Sequence, residues 1–376
     1  MTRRVLFYVQ HLLGIGHVKR AAAITRSLIE HEIEVSVVLG GPPAPLADFG
    51  EADVFQLPQV RAADSSFKIL VDEFNKPIDD EWRDRRSQEL QRIFNKIDPD
   101  LLMIELFPFG RYQFRFELLP LLAEINHKIP VVCSVREVLV ASSKAGRNDK
   151  IAAIIETYFD RILVHGDQSL IPLEATFPAA ALFADKLTYT GYITENDPLG
   201  APVNEGEGEV VVSTGSGAVG EDLLRAALDA RALSNLADKP WRLLAGDYLP
   251  EPVFDELRSM APPGVIIERA RPDFRTLLAN AALSISQGGY NTVMDVLSAK
   301  CPAVIVPFAD GGEGEQTFRA QELARRGLFT LLEADNLSAH ALAEAVDLTI
   351  DAFPVANVDI DMTGAETTAR LIREMM

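Results

Sequence analysis

Short runs of β-branched and aliphatic residues alternate with longer amphipathic stretches along this chain, a pattern typical of β-α-β units in a parallel sheet. The apolar runs of the first half predict strands near Val5–Val9, Glu34–Leu39, Leu101–Glu105, Val131–Ser134 and Arg161–Val164. Apolar positions three and four residues apart predict helices at Val18–Glu30, Glu81–Ile97, Phe114–Ile125 and Asn148–Phe159. Between Pro58 and Ile78 the periodicity fails, which predicts a long loop.

A second alternating series follows a stretch that is rich in proline, glycine and acidic residues and lacks an apolar face. Its strands are predicted near Val210–Ser213, Trp241–Ala245, Val265–Glu268, Leu283–Ser286, Ala303–Val306 and Phe329–Leu332. The pattern therefore predicts an α/β protein with two parallel-sheet domains. We place an N-terminal domain at residues 1–195, a linker at 196–207, a C-terminal domain at 208–362 and a final helix at 363–376.

Length and composition agree with two domains, since 376 residues with 48% hydrophobic content exceed what one core usually serves. The opening run Val5–Val9 is interrupted by Gln10 and His11 before it could span a bilayer, so we predict neither a signal peptide nor a transmembrane segment. Cys133 and Cys301 each lie in a short apolar run, which predicts buried thiols rather than a disulfide or metal ligands. We therefore expect a reducing, cytoplasmic location.

The net charge of −19 argues against a nucleic-acid partner, because phosphate backbones are held mainly by clustered lysine and arginine. The excess of acidic side chains lies in residues 151–376, which carry 34 acidic and 16 basic side chains. An anionic partner should therefore meet the N-terminal half, where we expect at most a weak peripheral contact with the inner face of the membrane.

Ligands of open parallel sheets collect beyond the carboxyl ends of the strands, at turns that lead into helices. The first such turn, Gly14–His17, has two glycines and a histidine, but Lys19 replaces the third glycine of a dinucleotide fingerprint. The corresponding turn of the second half, Ser213–Gly220, offers a nest of amides suited to phosphate oxygens. Each turn by itself is also compatible with a purely structural role.

The turn at Gly288 and Gly289 carries the strongest signal for a binding site. A helix is predicted to begin at about Asn291, so free amides and the positive end of its dipole point toward any anion above the turn. Asp295 is predicted to lie off the buried face of this helix, where it is either solvated or accepts hydrogen bonds from two adjacent hydroxyls. The predicted buried face consists of Val293, Val296 and Leu297.

Two further segments carry residue types suited to sugars. Glu315 and Gln316 open a predicted helix after the next strand, where they either face the same crevice or cap their own helix. The segment Phe107–Phe116 mixes aromatic rings, which stack on sugars, with arginines, which clamp phosphate or carboxylate groups. It predicts an acceptor surface, a helix entry with core phenylalanines, or a shallow membrane contact.

The segments Gly288–Asp295, Cys301–Phe308 and Glu315–Ala320 together resemble the two-domain GT-B glycosyltransferases, specifically enzymes like the N-acetylglucosaminyltransferase that completes the lipid-linked peptidoglycan precursor. The resemblance extends more loosely over the whole chain, with Gly14–His17 and Ser213–Gly217 at the corresponding loops. It implies two Rossmann-like parallel-sheet domains that face each other across a cleft. It also implies an inverting hexosyltransferase that takes a nucleotide-sugar donor, UDP-sugar being favoured, and needs no metal or cofactor.

The resemblance implies roles for individual residues. His17 would act as general base or as its close support, Asp295 would hold the ribose hydroxyls, and Glu315 with Gln316 would bind the donor sugar. The donor diphosphate would contact Gly16, Ser213, Gly215, Ser216, Gly288, Gly289, Asn291 and Thr292. The nucleobase would lie against Arg269, Ala270 and Arg271. We further assign Glu105, Arg111 and Arg136 to an acceptor site.

Three departures point away from the peptidoglycan enzyme itself. Enzymes of that kind have more glycine before the histidine than His11–Ile15 provides, in a loop that helps to hold the acceptor pyrophosphate. They usually have Glu where this chain has Asp295, and Gln where it has Glu315. We therefore expect a divergent bacterial member with a carbohydrate or lipid-linked acceptor, in surface polysaccharide or glycolipid synthesis.

Other functions remain open at this point. A nucleotide-sugar epimerase can have the same fold and donor site, with Glu105, Glu137 or Asp167 as acid and base. These carboxylates could instead simply form salt bridges with Arg111, Arg136 or Arg161. A non-catalytic nucleotide-sugar-binding protein is a second alternative. A metal-dependent transferase is disfavoured, because the acidic pairs at 98 and 100 and at 359 and 361 are better explained as surface turns.

Overall fold

The computed structural model describes residues 3–12, 16–45, 47–63, 69–139, 146–194, 205–215, 220–308, 314–352 and 359–376. The chain divides into two compact units, one formed by Met1–Glu195 with Ile360–Met376 and the other by Asn196–Asp359. Most of the predicted linker, residues 196–204, lies outside the described residues.

The first unit is built around a parallel sheet. Its strands are β1 (Arg3–Val9), β2 (Ile33–Leu39), β3 (Asp53–Gln56), β4 (Val60–Ala62), β5 (Leu70–Asp72), β6 (Leu101–Glu105), β7 (Val131–Arg136), β8 (Arg161–His165) and β9 (Leu187–Tyr189). Its helices are α1 (Gly16–Glu30), α2 (Asp80–Ile97), α3 (Arg115–Ile125) and α4 (Arg147–Tyr158). Within the described residues, seven strands pair in parallel in the order β3-β2-β1-β6-β7-β8-β9. Strands β4 and β5 form a separate antiparallel pair.

The second unit repeats this plan. Its strands are β10 (Val210–Ser213), β11 (Trp241–Ala245), β12 (Val265–Arg269), β13 (Leu283–Ser286), β14 (Ala303–Ile305) and β15 (Thr330–Leu331). Its helices are α5 (Glu221–Arg231), α6 (Glu251–Met260), α7 (Phe274–Asn280), α8 (Tyr290–Ala299), α9 (Glu315–Ala324) and α10 (Ala339–Ala352). The strands pair in parallel in the order β12-β11-β10-β13-β14-β15.

The last helix, α11 (Gly364–Met375), returns to the first unit. Ala365, Ala369 and Ile372 of α11 are buried in the same apolar cluster as Ile24 and Leu28 of α1. The sequence predicted this helix as a separate piece at 363–376 and did not indicate what it packs against.

Both faces of the first sheet are covered, which explains why its strands are continuous apolar runs. Along β1, Leu6 and Tyr8 belong to one buried cluster and Val5, Phe7 and Val9 to the other. Side chains alternate between the faces of a strand, so one strand supplies both cores. The predicted α/β fold with two parallel-sheet domains is therefore confirmed.

The structure adds elements that the pattern did not predict. The segment predicted as a long loop, residues 58–78, contains the β4–β5 pair, anchored by the buried side chains of Val60, Ala62 and Leu70. Edge strand β3 has mostly exposed side chains, so it shows no apolar alternation. Strands of three or four residues are too short for periodicity to identify them.

The two cysteines, Cys133 and Cys301, are buried and free, as predicted, and burial raises the pKa of both thiols. Among the described helices, none combines the length and the apolar character that crossing a bilayer would require.

Candidate active site

The first unit places a histidine and a carboxylate in direct contact. Strands β1 and β6 pair in parallel, with Tyr8 opposite Ile104. This pairing brings the start of α1, which follows β1, beside Glu105 at the end of β6. Nδ1 of His17 lies 2.9 Å from Oε1 of Glu105, and the His17 side chain is 11% exposed. Residues 13–15 of the predicted glycine turn lie outside the described residues, and Gly16 opens α1.

Glu105 is fully buried and held by three side chains. Arg20, one turn after His17 on α1, donates to Oε1, and the hydroxyl of Ser134 donates to Oε2 over 2.6 Å. Burial by itself would raise the pKa of this carboxyl, but the charge of Arg20 and the hydrogen bond from His17 lower the pKa to about 2. Glu105 is therefore an ionised carboxylate at neutral pH.

The burial of Glu105 corrects two expectations. An acceptor contact was expected of Glu105, but a side chain with 0% exposure offers an acceptor no surface. A salt bridge to Arg111, Arg136 or Arg161 was the structural alternative, whereas Glu105 pairs with Arg20, which is on the same helix as His17 and 85 residues away in the chain. Glu105 instead orients His17, which is the group that is partly exposed.

The contacts of His17 determine its tautomer and its charge. Burial lowers the pKa of His17 to about 3, assisted by the positive charges of Arg136, Arg111 and Arg20, while the hydrogen bond to Glu105 acts in the opposite direction. The ring is therefore neutral at pH 7. Nη2 of Arg20 also lies 3.1 Å from Nδ1, but it donates to Oε1 of Glu105, which is closer to it. The ionised carboxylate only accepts hydrogen bonds, so the contact of 2.9 Å between Nδ1 and Oε1 places the single ring proton on Nδ1 and a lone pair on Nε2. His17 is thus equipped to accept a proton at Nε2.

Arg111 and Arg136, both assigned to an acceptor, form a cationic region near His17. Both are partly exposed, and each lowers the pKa of His17 through its charge. The Arg111 Nε donates to the carbonyl oxygen of Gln10 over 2.8 Å, which fixes its side chain at the end of β1. Burial and the neighbouring charge of Arg136 lower the pKa of Arg111 to about 10. An anionic group of a ligand would relieve this repulsion between like charges.

The aromatic residues of the segment Phe107–Phe116 belong largely to the core. Phe107, Phe109 and Phe114 are buried, and the Phe109 ring packs edge-on against Phe177 at 5.3 Å between centroids. The interpretation as a helix entry with core phenylalanines is therefore correct for these three rings. The arginines of the segment, together with Tyr112 and Phe116, are at least partly exposed and remain available to a ligand.

In the second unit, the turns after β10 and β13 lie side by side, because Ser213 pairs with Ser286 in adjacent strands. The hydroxyl of Ser213 accepts a hydrogen bond from the amide of Gly215 over 3.2 Å and so shapes the first turn. Gly215 has φ of +69°, and among the described residues, its chain neighbours apart, no atom would lie within 4 Å of a Cβ at this position. The backbone is thus open to close approach here. Ser216 lies outside the described residues.

The turn after β13 leads into α8 with no side chain capping its first turn. Gly289 is the N-cap residue, and the amides of Asn291 and Thr292 belong to the uncapped first turn. Within the described part of the chain, its own chain neighbours apart, the nearest atom to a Cβ on Gly289 would be Thr292 Oγ1, at 4.0 Å. A Cβ on Gly288 would instead lie 3.3 Å from the carbonyl oxygen of Gln316. Gly288 thus lets the start of α9 pack beside the start of α8.

The predicted ribose and sugar residues are partly occupied by contacts within the unit. Asp295 is 20% exposed, and its Oδ1 lies 3.8 Å from Nε of Arg275. Glu315 accepts a hydrogen bond from the fully buried Arg319 over 2.8 Å. Gln316 accepts one from the amide of Phe308 over 3.1 Å through Oε1. These contacts fix the three side chains in place.

Arg269 and Arg271, which are predicted to border the nucleobase, make several contacts within the second unit. Arg269 donates to the carbonyl oxygens of Gly246 and Leu249, and its guanidinium lies 4.0 Å from the centroid of the Phe254 ring. Arg271 is paired with Asp273, Glu205 and Glu268. These contacts hold the residues at the end of β12 in place. A nucleobase contact here would use Ala270, which is partly exposed between the two arginines.

The residues weighed for other functions have structural roles. Asp98 ends α2 with φ of +48°, and Asp100 accepts a hydrogen bond from the amide of Arg4. Asp361 accepts from the amide and hydroxyl of Thr363 before α11, and Asp167 accepts from the amide of Ser169. Among the residues that the structure describes, no group of three or more His, Cys, Asp or Glu side chains could hold a metal ion.

Part of the second unit matches a known protein family. Residues 214–358 match the glycosyltransferase family 28 C-terminal domain. This range contains most of the predicted donor-site residues. No relative among curated proteins matches the chain.

Several solved structures share the fold along the whole chain. The calicheamicin glycosyltransferase CalG4 is 16% identical, with a TM-score of 0.63 over 100% of this chain and 94% of that one. MurG of Acinetobacter baumannii is 17% identical, with a TM-score of 0.63 over 99% of both chains. The UDP-GlcNAc 2-epimerase of Methanocaldococcus jannaschii is 11% identical, with the same score and coverage.

The domain match indicates the enzyme class and the solved structures indicate the fold, and both agree with the resemblance seen in the sequence. This chain is a divergent GT-B glycosyltransferase whose C-terminal unit carries a family 28 domain.

Proposed function

We propose that this protein is an inverting, metal-independent glycosyltransferase that moves a hexose from a nucleotide diphosphate sugar, UDP-sugar being favoured, to a carbohydrate or lipid-linked acceptor. The observation that carries the proposal is the contact of 2.9 Å between His17 and the buried carboxylate of Glu105. A neutral imidazole oriented by a carboxylate can remove a proton from a hydroxyl. Transfer to an acceptor hydroxyl needs this step.

In the proposed reaction, Nε2 of His17 takes the proton of the acceptor hydroxyl while the acceptor oxygen forms a bond to the anomeric carbon of the donor. The bond from that carbon to the diphosphate oxygen breaks, its electron pair leaves with the nucleoside diphosphate, and the configuration at the carbon inverts. Glu105 stabilises the imidazolium that forms and holds its Nδ1–H. The proton then passes from His17 to solvent.

The second unit supplies the support for a diphosphate site. Uncapped amides at the start of α8, together with the positive end of its dipole, favour an anion at this turn. Gly215 and Gly289 leave space at which phosphate oxygens could approach the backbone. In the proposed reaction these amides offset the charge of the leaving diphosphate, so that no divalent metal is required.

The acceptor is proposed to carry a phosphate or carboxylate group, because Arg111 and Arg136 place two like charges near His17. Such groups occur on intermediates of surface polysaccharide and glycolipid synthesis, the pathways that we propose. A cytoplasmic reaction, with weak contact between the first unit and the membrane, belongs to the same proposal.

A nucleotide-sugar epimerase is the second candidate, since an epimerase is among the solved structures that share the fold. An epimerase would convert a UDP-sugar without an acceptor and would place acid and base groups against the sugar ring. Of the carboxylates considered for that role, Glu105 and Glu137 are fully buried. The contact between His17 and Glu105 favours transfer.

The donor site can be tested by calorimetric titration of the full-length protein with UDP, GDP and dTDP in the absence of metal. We expect micromolar binding of one nucleotide, UDP being favoured, and binding about tenfold or more weaker in Asp295→Ala. Asp255→Ala, which removes an exposed carboxylate of α6 in the same unit, is the matched control and should bind as the original protein does. Failure of all three nucleotides to bind would overturn both the transferase and the epimerase proposals.

A further inference from the structure

A chain of buried polar side chains reaches Glu105 through its second oxygen. It runs along the carboxyl edge of the first sheet, with one residue each from β7, β8 and the turn after β9. Ser134 Oγ lies 2.6 Å from Oε2 of Glu105 and 2.9 Å from Nε2 of His165. Nδ1 of His165 lies 2.9 Å from Oγ1 of Thr190. The side chains of Glu105, Ser134 and His165 are 0% exposed, and that of Thr190 is 1% exposed.

The chemistry of the groups fixes the direction of the first two hydrogen bonds. The ionised Glu105 only accepts, so the single proton of the Ser134 hydroxyl is directed to Oε2. Ser134 must then accept from His165, which requires a proton on Nε2. Burial lowers the pKa of His165 to about 3, so the ring is neutral and Nδ1 is an acceptor. Thr190 can donate to Nδ1, and the carbonyl oxygen of Gly191, at 3.0 Å, competes for the same hydroxyl proton.

We propose that Ser134 and His165 are positioning residues for His17, acting through Glu105. Their hydrogen bonds fix Oε2, so that Oε1 stays in place to hold the Nδ1–H tautomer of His17. The inference rests on the proposed role of His17 in sugar transfer. None of the residues Ser134, His165 and Thr190 was singled out by the sequence.

Ser134 matters for the orientation of Glu105 because this carboxylate has two strong donors on Oε1 and only one on Oε2. Arg20 and His17 both lie within hydrogen-bond distance of Oε1. Without the donor from Ser134, Oε2 would be a buried carboxylate oxygen with its hydrogen bond lost, and rotation of the carboxylate toward Arg20 would restore one. Such a rotation withdraws Oε1 from His17. The outer partners of an oriented histidine therefore contribute to its function.

The test that does not depend on activity is NMR of the full-length protein labelled with ¹⁵N at its six histidines. His17 and His165 are assigned through the signals that disappear in His17→Ala and His165→Gln. At neutral pH we expect His17 in the Nδ1–H tautomer and His165 in the Nε2–H tautomer. In Ser134→Ala, the His17 signals should change to those of a mixture of tautomers.

The kinetic test measures release of UDP from a UDP-sugar by the same variants, with water taking the place of the acceptor hydroxyl. Ser134→Ala and His165→Phe should each lower kcat about tenfold with an unchanged KM for the donor, and the double variant should lose no more than either alone. His165→Gln keeps an N–H donor for Ser134 and should retain most of the activity. Thr368→Ala removes another fully buried hydroxyl of the same unit, bonded within α11, and should behave as the original protein does.

A single, unchanged His17 tautomer together with an unchanged kcat in Ser134→Ala would overturn the inference. Should Ser134→Ala fail to fold by circular dichroism, the same two readouts in His165→Phe decide in its place. Should the original protein release no UDP from any UDP-sugar, the proposed function fails, and the tautomer comparison alone decides whether Ser134 and His165 position His17.

Discussion

Nδ1 of His17 lies 2.9 Å from Oε1 of Glu105, although 88 residues separate them in the chain. The carboxylate is fully buried and paired with Arg20, whereas the histidine is 11% exposed. One partner is thus fixed inside the first unit and the other can reach a ligand. This division of roles is the basis of the predictions for both residues.

The variant Glu105→Gln should lower turnover by about 10²- to 10³-fold. A neutral amide cannot stabilise the imidazolium, and it can present either oxygen or nitrogen to His17. The same change leaves Arg20 buried without its ion pair, so the free energy of unfolding should fall by about 3 kcal/mol. UDP release and urea unfolding measure the two effects.

Glu117→Gln is the matched control for that loss of stability. Glu117 forms another fully buried ion pair of the first unit, with Arg86 at 2.7 Å. Its replacement should destabilise the fold to a similar extent while the turnover of the folded protein is kept. Equal losses of turnover in both variants would show that Glu105 acts only through stability.

The variant His17→Ala should lower turnover by about 10²- to 10⁴-fold, since it removes the proposed proton acceptor. Nucleotide affinity should change little, because all the predicted diphosphate contacts except Gly16 belong to the second unit. Steady-state kinetics and calorimetry on the same preparation separate the two effects. The control is His31→Ala, at the other end of α1. If His17→Ala and His31→Ala have the same turnover, His17 is not the base.

The buried His11 and His165 and the mostly buried His17 should make the protein less stable as the pH falls below about 6.5. Burial is the largest cause that lowers the pKa of His11 to about 4, and those of His17 and His165 to about 3. Between these values and the unfolded pKa of about 6.5, the unfolded chain binds protons that the folded chain does not. The free energy of unfolding should therefore fall by about 1.4 kcal/mol per pH unit for each histidine, as measured by urea unfolding between about pH 7 and pH 5.

The contribution of His165 alone to the pH dependence of stability can be measured. His165→Gln removes one of the three groups and should reduce the slope of stability against pH by about a third. His340→Gln replaces an exposed histidine and should leave the slope unchanged. An identical slope in the two variants would contradict a lowered pKa for His165.

The variant Gly289→Ala should fold normally and bind UDP about tenfold or more weakly. Gly289 has φ of −61°, which any residue adopts, and the nearest atom to a Cβ would be 4.0 Å away. The substitution therefore disturbs only a ligand that approaches the backbone at this turn. Thermal unfolding and calorimetry check the two halves of the prediction, and unaltered UDP binding would place the diphosphate elsewhere.

The sequence determined the parallel α/β organisation of both units, because apolar periodicity reports which side chains are buried along one element. It located Gly288 and Gly289 before a helix, and His17 at the start of another, since these turns have local signatures. It did not reveal strands as short as β3 and β4, in which too few residues alternate. The sequence also did not predict the return of α11 to the first unit, because the local sequence of a helix does not show which surface it packs against.

Only the tertiary structure decided what surrounds His17. Glu105, Ser134 and His165 lie at the ends of successive strands, and the order of strands in a sheet is a property of the whole fold, not of local sequence. The tertiary structure also decided the contacts of Arg269 and Arg271. The sequence assigned both to a ligand, and in the structure they contact groups of their own unit. Buried charges must find partners within the protein, so their roles depend on neighbours that are distant in the chain.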